Sequence, residues 1–82
     1  MKKHLEKKIR KYVIATLDSP TLYLKKVPGE NKYFFVNDVE MATKGMTRLM
    51  TNQIMDYYYL DTGENIPLVV IPVEITYEII EE

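Results

Sequence analysis

His4 and Ser19 are the only histidine and the only serine in the chain, and cysteine is absent. A Ser-His-acid triad would need His4, in a basic N-terminal stretch, to be held within hydrogen-bond reach of Ser19 in a turn. A solvated tail residue offers no such fixed base. A lone histidine forms no i, i+4 ligand pair, and Asp56 and Asp61, five apart on a helix, lie on different faces. Gly29, Gly45 and Gly63 are each accounted for by a turn or a cap, so no phosphate-cradling loop remains. Glu74 and Glu78 could in principle share acid/base work, but on an alternating strand they project outward, where nothing excludes water from them. The residue census therefore points away from catalysis, from a metal or other cofactor, and from a small-molecule substrate.

Surface recognition is what remains, and the tyrosines carry it. Seven tyrosines stand beside two phenylalanines and no tryptophan. Tyr57, Tyr58 and Tyr59 are consecutive on a helix and sweep about 200°, so at least one must be exposed. On the sheet, with Leu22 and Leu24 toward the helices, Tyr23 and Lys25 face outward. The matching register puts Tyr12, Ile14 and Thr16, then Tyr33 and Phe35, on that same outer face, whereas a slip of one residue in either strand buries those rings. Tyr12, Tyr23, Lys25, Tyr33, Phe35, Tyr58 and Tyr59 are thus the candidate partner-binding residues. A protein interface suits tyrosine, whose rigid apolar body carries a polar tip. Single-stranded nucleic acid stacking on the rings is the alternative, with Lys2, Lys3, Lys7, Lys8, Arg10 and Lys11 following the phosphates. Glu74 and Glu78 on the same face would oppose it. In the purely structural alternative, cross-strand aromatic pairs only stabilise the sheet, by about 0.2–1 kcal/mol each.

The elements that position these residues are read from period and punctuation. Lys11–Leu17 is rich in β-branched and aromatic residues and stops at Asp18-Ser19-Pro20, which marks a first strand. Residues 21–27 alternate as a second strand, Pro28-Gly29 has the chemistry of a type II turn, and residues 32–36 return as a third strand. Asn37 with Glu40 forms a capping-box pattern that starts a short helix at Asp38, with Val36 stapled onto Met41 and Gly45 as a left-handed C-cap. Thr47 caps a second helix from Arg48 to about Asp61, closed by Gly63. Its buried stripe is Met46, Met50, Ile54 and Tyr57 with Tyr58, and Leu49 alongside. Leu68–Ile80 alternates beyond Pro72, which confines that strand to an edge or a bulge. The predicted fold is α+β: one small domain, β-β-β-α-α-β, with a four-strand mainly antiparallel sheet and one short and one longer helix on one face.

Eighty-two residues, 46% hydrophobic and 28% charged, suffice for one modest core and leave little for a deep pocket. The net charge of −1 hides an asymmetry: residues 1–41 sum to +4 and residues 42–82 to −5. The basic arm over residues 1–10 is expected to be either mobile or a short helix, and it lacks the apolar stretch of a secretory signal. No segment is long and apolar enough to span a bilayer. A cytoplasmic protein with a protein partner, itself included as a homodimer, is the resulting expectation.

Short motifs extend this reading. Tyr12-Val13-Ile14, Tyr23-Leu24-Lys25, Ala42-Thr43-Lys44 and Ile75-Thr76-Tyr77-Glu78 together resemble small proteins encoded by phages and prophages of Gram-positive bacteria. Gly45 departs from that pattern, in which an aromatic residue commonly follows the lysine. The resemblance implies a phage accessory protein that acts by binding a host protein, for example a defence nuclease, and it assigns a role to no individual residue.

Overall fold

A computed structural model describes residues 3–81 of the chain. The sheet has the strand order β3-β2-β1-β4, with β1 at Lys3–Thr16, β2 at Tyr23–Lys26, β3 at Tyr33–Val36 and β4 at Leu68–Glu81. All pairings are antiparallel. One α-helix, α1 at Arg48–Thr62, follows a 3-10 turn at Val39–Met41. This is the expected α+β architecture, with the first helix reduced to that single turn. Asp38, not Asn37, caps the turn by accepting the Glu40 N–H. Three residues fit between this cap and the extended backbone of Ala42, so a full helix has no room to form.

The largest departure from expectation is at the N-terminus. Residues 3–10 are neither a mobile arm nor a helix but the first half of β1, which pairs with β4 from Lys3↔Glu81 to Thr16↔Leu68. The pairing puts Leu5, Ile9, Val13 and Ala15 on one face with Ile79, Ile75, Ile71 and Val69. Lysines between them dilute the hydrophobic signal that would have marked the strand. The other neighbour of β1 is brief. β2 meets β1 only at Ala15↔Tyr23, and then the two strands diverge. The gap is filled by an extended piece of chain: Thr43 N–H donates to the Leu24 carbonyl, and Gly45 and Tyr12 exchange both backbone hydrogen bonds at 2.9 Å. Before Tyr12, no described strand pairs with β1 except β4. The outer half of the β1–β4 pair therefore projects as a two-stranded arm. The radius of gyration of 15.3 Å reflects this, since a compact domain of this length has about 12 Å.

Because Tyr12 turns its backbone groups toward Gly45, the Tyr12↔Pro72 pair shares no ladder bond. The nitrogen of Pro72 thus faces the open edge of β4, where a missing N–H costs the sheet nothing and blunts the edge against further pairing.

α1 begins with the Thr47 hydroxyl accepting the Met50 N–H and ends at Gly63, whose φ of 67° supplies the left-handed cap. It packs on the face that carries Ile14, Leu24 and Val70, with Tyr58 at the centre of the cluster. Its buried residues are Thr51 and Tyr58, backed by half-buried Ile54 and Met55. Met46, Leu49, Met50 and Tyr57 are exposed, contrary to the stripe expected from sequence. The helix is rotated because a tyrosine ring at position 58, wedged between β3 and β1, buries more apolar area than the methionines could.

Gly45 is not a C-cap. It is a buried sheet residue at which an added Cβ would run into the Thr51 hydroxyl. Gly45→Ala is expected to destabilise the fold by about 1–3 kcal/mol, the usual range for overpacking. The cost should shrink in a Thr51→Ala background, where the obstructing oxygen is gone. Urea unfolding of the two single variants and the double variant measures this, and purely additive effects would exclude the clash.

Candidate interaction surface

The four strands distribute the candidate tyrosines between two faces. The β2–β3 register pairs Leu24 with Phe35 and Lys26 with Tyr33, which sends Phe35 and Tyr33 to the Leu24 face beneath α1. Tyr12 lies on that face too, together with Ile14. The sequence expectation for Tyr12, Tyr33 and Phe35 was one residue out of register, and these rings form part of the core instead of an outer platform. Tyr33 and Phe35 meet the Tyr58 ring edge-on, with centroids 5.3 and 5.7 Å apart. The Arg48 guanidinium sits 5.1 Å above the Tyr12 ring and donates to the Val70 carbonyl. Tyr58 is only 3% exposed. Tyr59 is half-buried and donates its hydroxyl to the Ile66 carbonyl at 2.7 Å, tying the loop after α1 to the helix.

Tyr23 and Lys25 do face away from α1, joined there by Phe34, which is exposed. Lys25 donates to the Met41 carbonyl. Of the three tyrosines expected on the outer sheet face, Tyr12, Tyr23 and Tyr33, only the half-buried Tyr23 is there, beside Phe34.

Two apolar surfaces that sequence reasoning missed are the larger exposed features. The first is one face of the arm, where Leu5, Tyr77 and Ile79 are about half exposed and Ile9 and Ile75 continue the stripe inward. Lys7 and Lys11 share this face through their pairing with Tyr77 and Val73. Its inner end opens into a groove of about 460 Å³, lined on the far side by Val39, Glu40 and Lys44. The second surface is the solvent side of α1. Leu49 is 69% and Leu60 78% exposed, with Tyr57 between them and Met46 just before the helix. The signals were present: Leu5 and Ile9 keep the even spacing of the β4 stripe, and Leu49, Tyr57 and Leu60 recur at helical intervals.

The basic residues are spread over both faces of the arm. Lys8 and Arg10 lie opposite Thr76 and Glu74 on the charged face, with Lys8 3.9 Å from the Glu74 carboxylate. An exposed pair of this kind adds little stability. Lys2 lies outside the described residues, and for Lys3 only the backbone pairing with Glu81 is described. Among the described residues no group of three potential metal ligands comes together, and no helix is long and apolar enough to cross a membrane. Comparison with protein families, curated proteins and solved structures finds no match to this chain in any of the three.

The edge of the core carries one perturbed hydroxyl. Tyr33 donates to Asp61 Oδ2 at 2.6 Å. Burial pushes its pKa up to about 12, and the hydrogen bond and charge of Asp61 act in the same direction. Burial also raises Tyr58, opposed by its hydrogen bond with Thr62. A folded-state pKa above that of the unfolded chain, near 10, favours folding fully below pH ~10. That contribution is lost as pH climbs through the folded value of about 12. Wild-type stability should therefore fall across this window, and Tyr33→Phe should remove part of the slope. Urea unfolding at several alkaline pH values compares the two proteins; identical slopes would show that Tyr33 does not contribute.

Proposed function

We propose that the protein is a non-catalytic binding module whose partner is a protein, a second copy of the chain included. The observation that carries this reading is the arm: a projecting two-stranded ribbon with one apolar face on which Leu5, Tyr77 and Ile79 stay about half exposed. Apolar side chains clustered on a protrusion are costly to leave in water, and such patches mark protein-protein contact sites. The ribbon also holds these side chains in fixed positions, which lowers the ordering cost of association. The resemblance to small phage and prophage proteins makes a host protein the natural partner, and modulation of that protein, such as a defence nuclease, the corresponding role. Single-strand nucleic-acid binding loses support, because Tyr12 and Tyr33 lie under α1 and Lys8 and Arg10 stand opposite acidic and hydroxyl side chains across the ribbon.

Tyr77→Glu with Ile79→Thr tests the proposal. Both positions are about half exposed, the carboxylate introduced at position 77 would face Lys7, and threonine keeps strand propensity, so the fold should persist. Immobilised wild-type protein should retain a specific protein from host extract that the folded double variant does not. Equal retention by both, or retention of nothing by either, would refute the arm as a protein-binding surface. In fluorescence-anisotropy titrations, labelled single-stranded oligonucleotides should show no salt-sensitive binding; a steep salt dependence would restore the nucleic-acid reading.

A further inference from the structure

The two exposed apolar surfaces differ in charge. The arm face carries Lys7 and Lys11, with Lys44 beside its inner end; the acids of the same groove are Glu40 and Glu74, and Glu74 belongs by strand alternation to the opposite face, where it meets Lys8. The solvent side of α1 carries Asp56 among Gln53, Tyr57 and Leu60. Its one basic residue, Arg48, is engaged with Tyr12 and the Val70 carbonyl and so faces the sheet. One surface is apolar and basic, the other apolar and acidic.

Their dimensions also correspond. Six residue steps of strand, from Leu5 to Lys11, span about 20 Å. Eleven helical steps, from Leu49 to Leu60, span about 17 Å. A single chain cannot bring the two together. α1 packs on the sheet face that bears Ile14 and Val70, whereas strand alternation puts Leu5, Ile9, Ile75 and Ile79 on the opposite face.

From this complementarity we infer that the occupant of the arm face is α1 of a second copy of the chain, so that arm-on-helix contact drives self-association. The inference rests on the reading of the arm as a protein-binding surface and names the partner as the chain itself. Lys7 and Lys11 flank the apolar contact on one side and meet the field of Asp56 on the other. The contact patch is two strands wide and about 20 Å long, a footprint of roughly 200 Å² on each copy and below the size of stable specific interfaces, so the association is weak and concentration-dependent. The junction is heterologous, because different surfaces of the two copies meet.

That asymmetry supplies the test. Leu49→Gln with Leu60→Gln removes the helix surface at highly exposed positions without lowering helix propensity. Tyr77→Glu with Ile79→Thr removes the arm surface. In sedimentation velocity, wild-type protein should associate as its concentration rises toward about 0.5 mM, while each double variant alone stays monomeric. Mixed together, the two variants should form a 1:1 pair, since one retains an intact arm and the other an intact α1. Circular dichroism and urea midpoints establish that both are folded. A monomeric wild type, an assembly that survives either double variant, or a mixture that fails to pair would overturn the inference. The reading of the arm as a host-protein surface would still stand if the arm variant alone lost the retained host protein, so the two failures are distinguishable.

Discussion

The antiparallel pairing of β1 with β4 is the constraint on which the rest of the structure depends. Its register runs without interruption from Lys3↔Glu81 to Thr16↔Leu68 and joins the two ends of the chain. Because side chains alternate across a strand, this single register decides that Ile14 and Val70 look toward α1 while Val13 looks the other way. A slip of one residue would exchange the charged and apolar faces of the arm and move the core out from under the helix. β2 and the Thr43–Gly45 segment each hold β1 through only one paired position, so they depend on a β1 already fixed by β4.

Tyr58 is the second fixed point. Its ring meets Tyr33, Phe35 and Tyr59 edge-on, arrangements that each add about 0.5–1.5 kcal/mol beyond the area buried. Seating this ring against Ile14, Leu24 and Val70 sets the rotation of α1 about its axis. Leu49 and Leu60 are then turned to solvent as a consequence. The exposed helix stripe is thus linked to the core by geometry: the same rotation that buries position 58 presents positions 49, 57 and 60.

The charge asymmetry acquires a structural meaning in the arm. A strand with five basic residues and one acid lies beside a strand that carries acids and no base. Most of the +4 and −5 of the two halves is brought together across one ribbon, which explains how a near-zero total coexists with strong local charge. Lys7 and Lys11 fall outside this compensation because strand alternation places them with the apolar residues. The surface available for recognition is consequently apolar with a basic margin.

Local signals in the sequence determined the α1 boundaries at Thr47 and Gly63, the Pro28-Gly29 turn, the confinement of Pro72 to an edge or a bulge and the alternation of β4, since caps, turns and strand period are written within a few neighbouring residues. The residue census, with one histidine, one serine and no cysteine, likewise needs no coordinates. Tertiary structure alone decided which face each strand presents and how α1 is rotated. Tyr12, Tyr33 and Phe35 alternate identically whether they point in or out, and only the register against distant partners separates the two. The strand character of residues 3–10 was hidden for the same reason: lysine-rich sequence becomes a strand here because β4, at the far end of the chain, supplies the hydrogen bonds and apolar neighbours it lacks on its own.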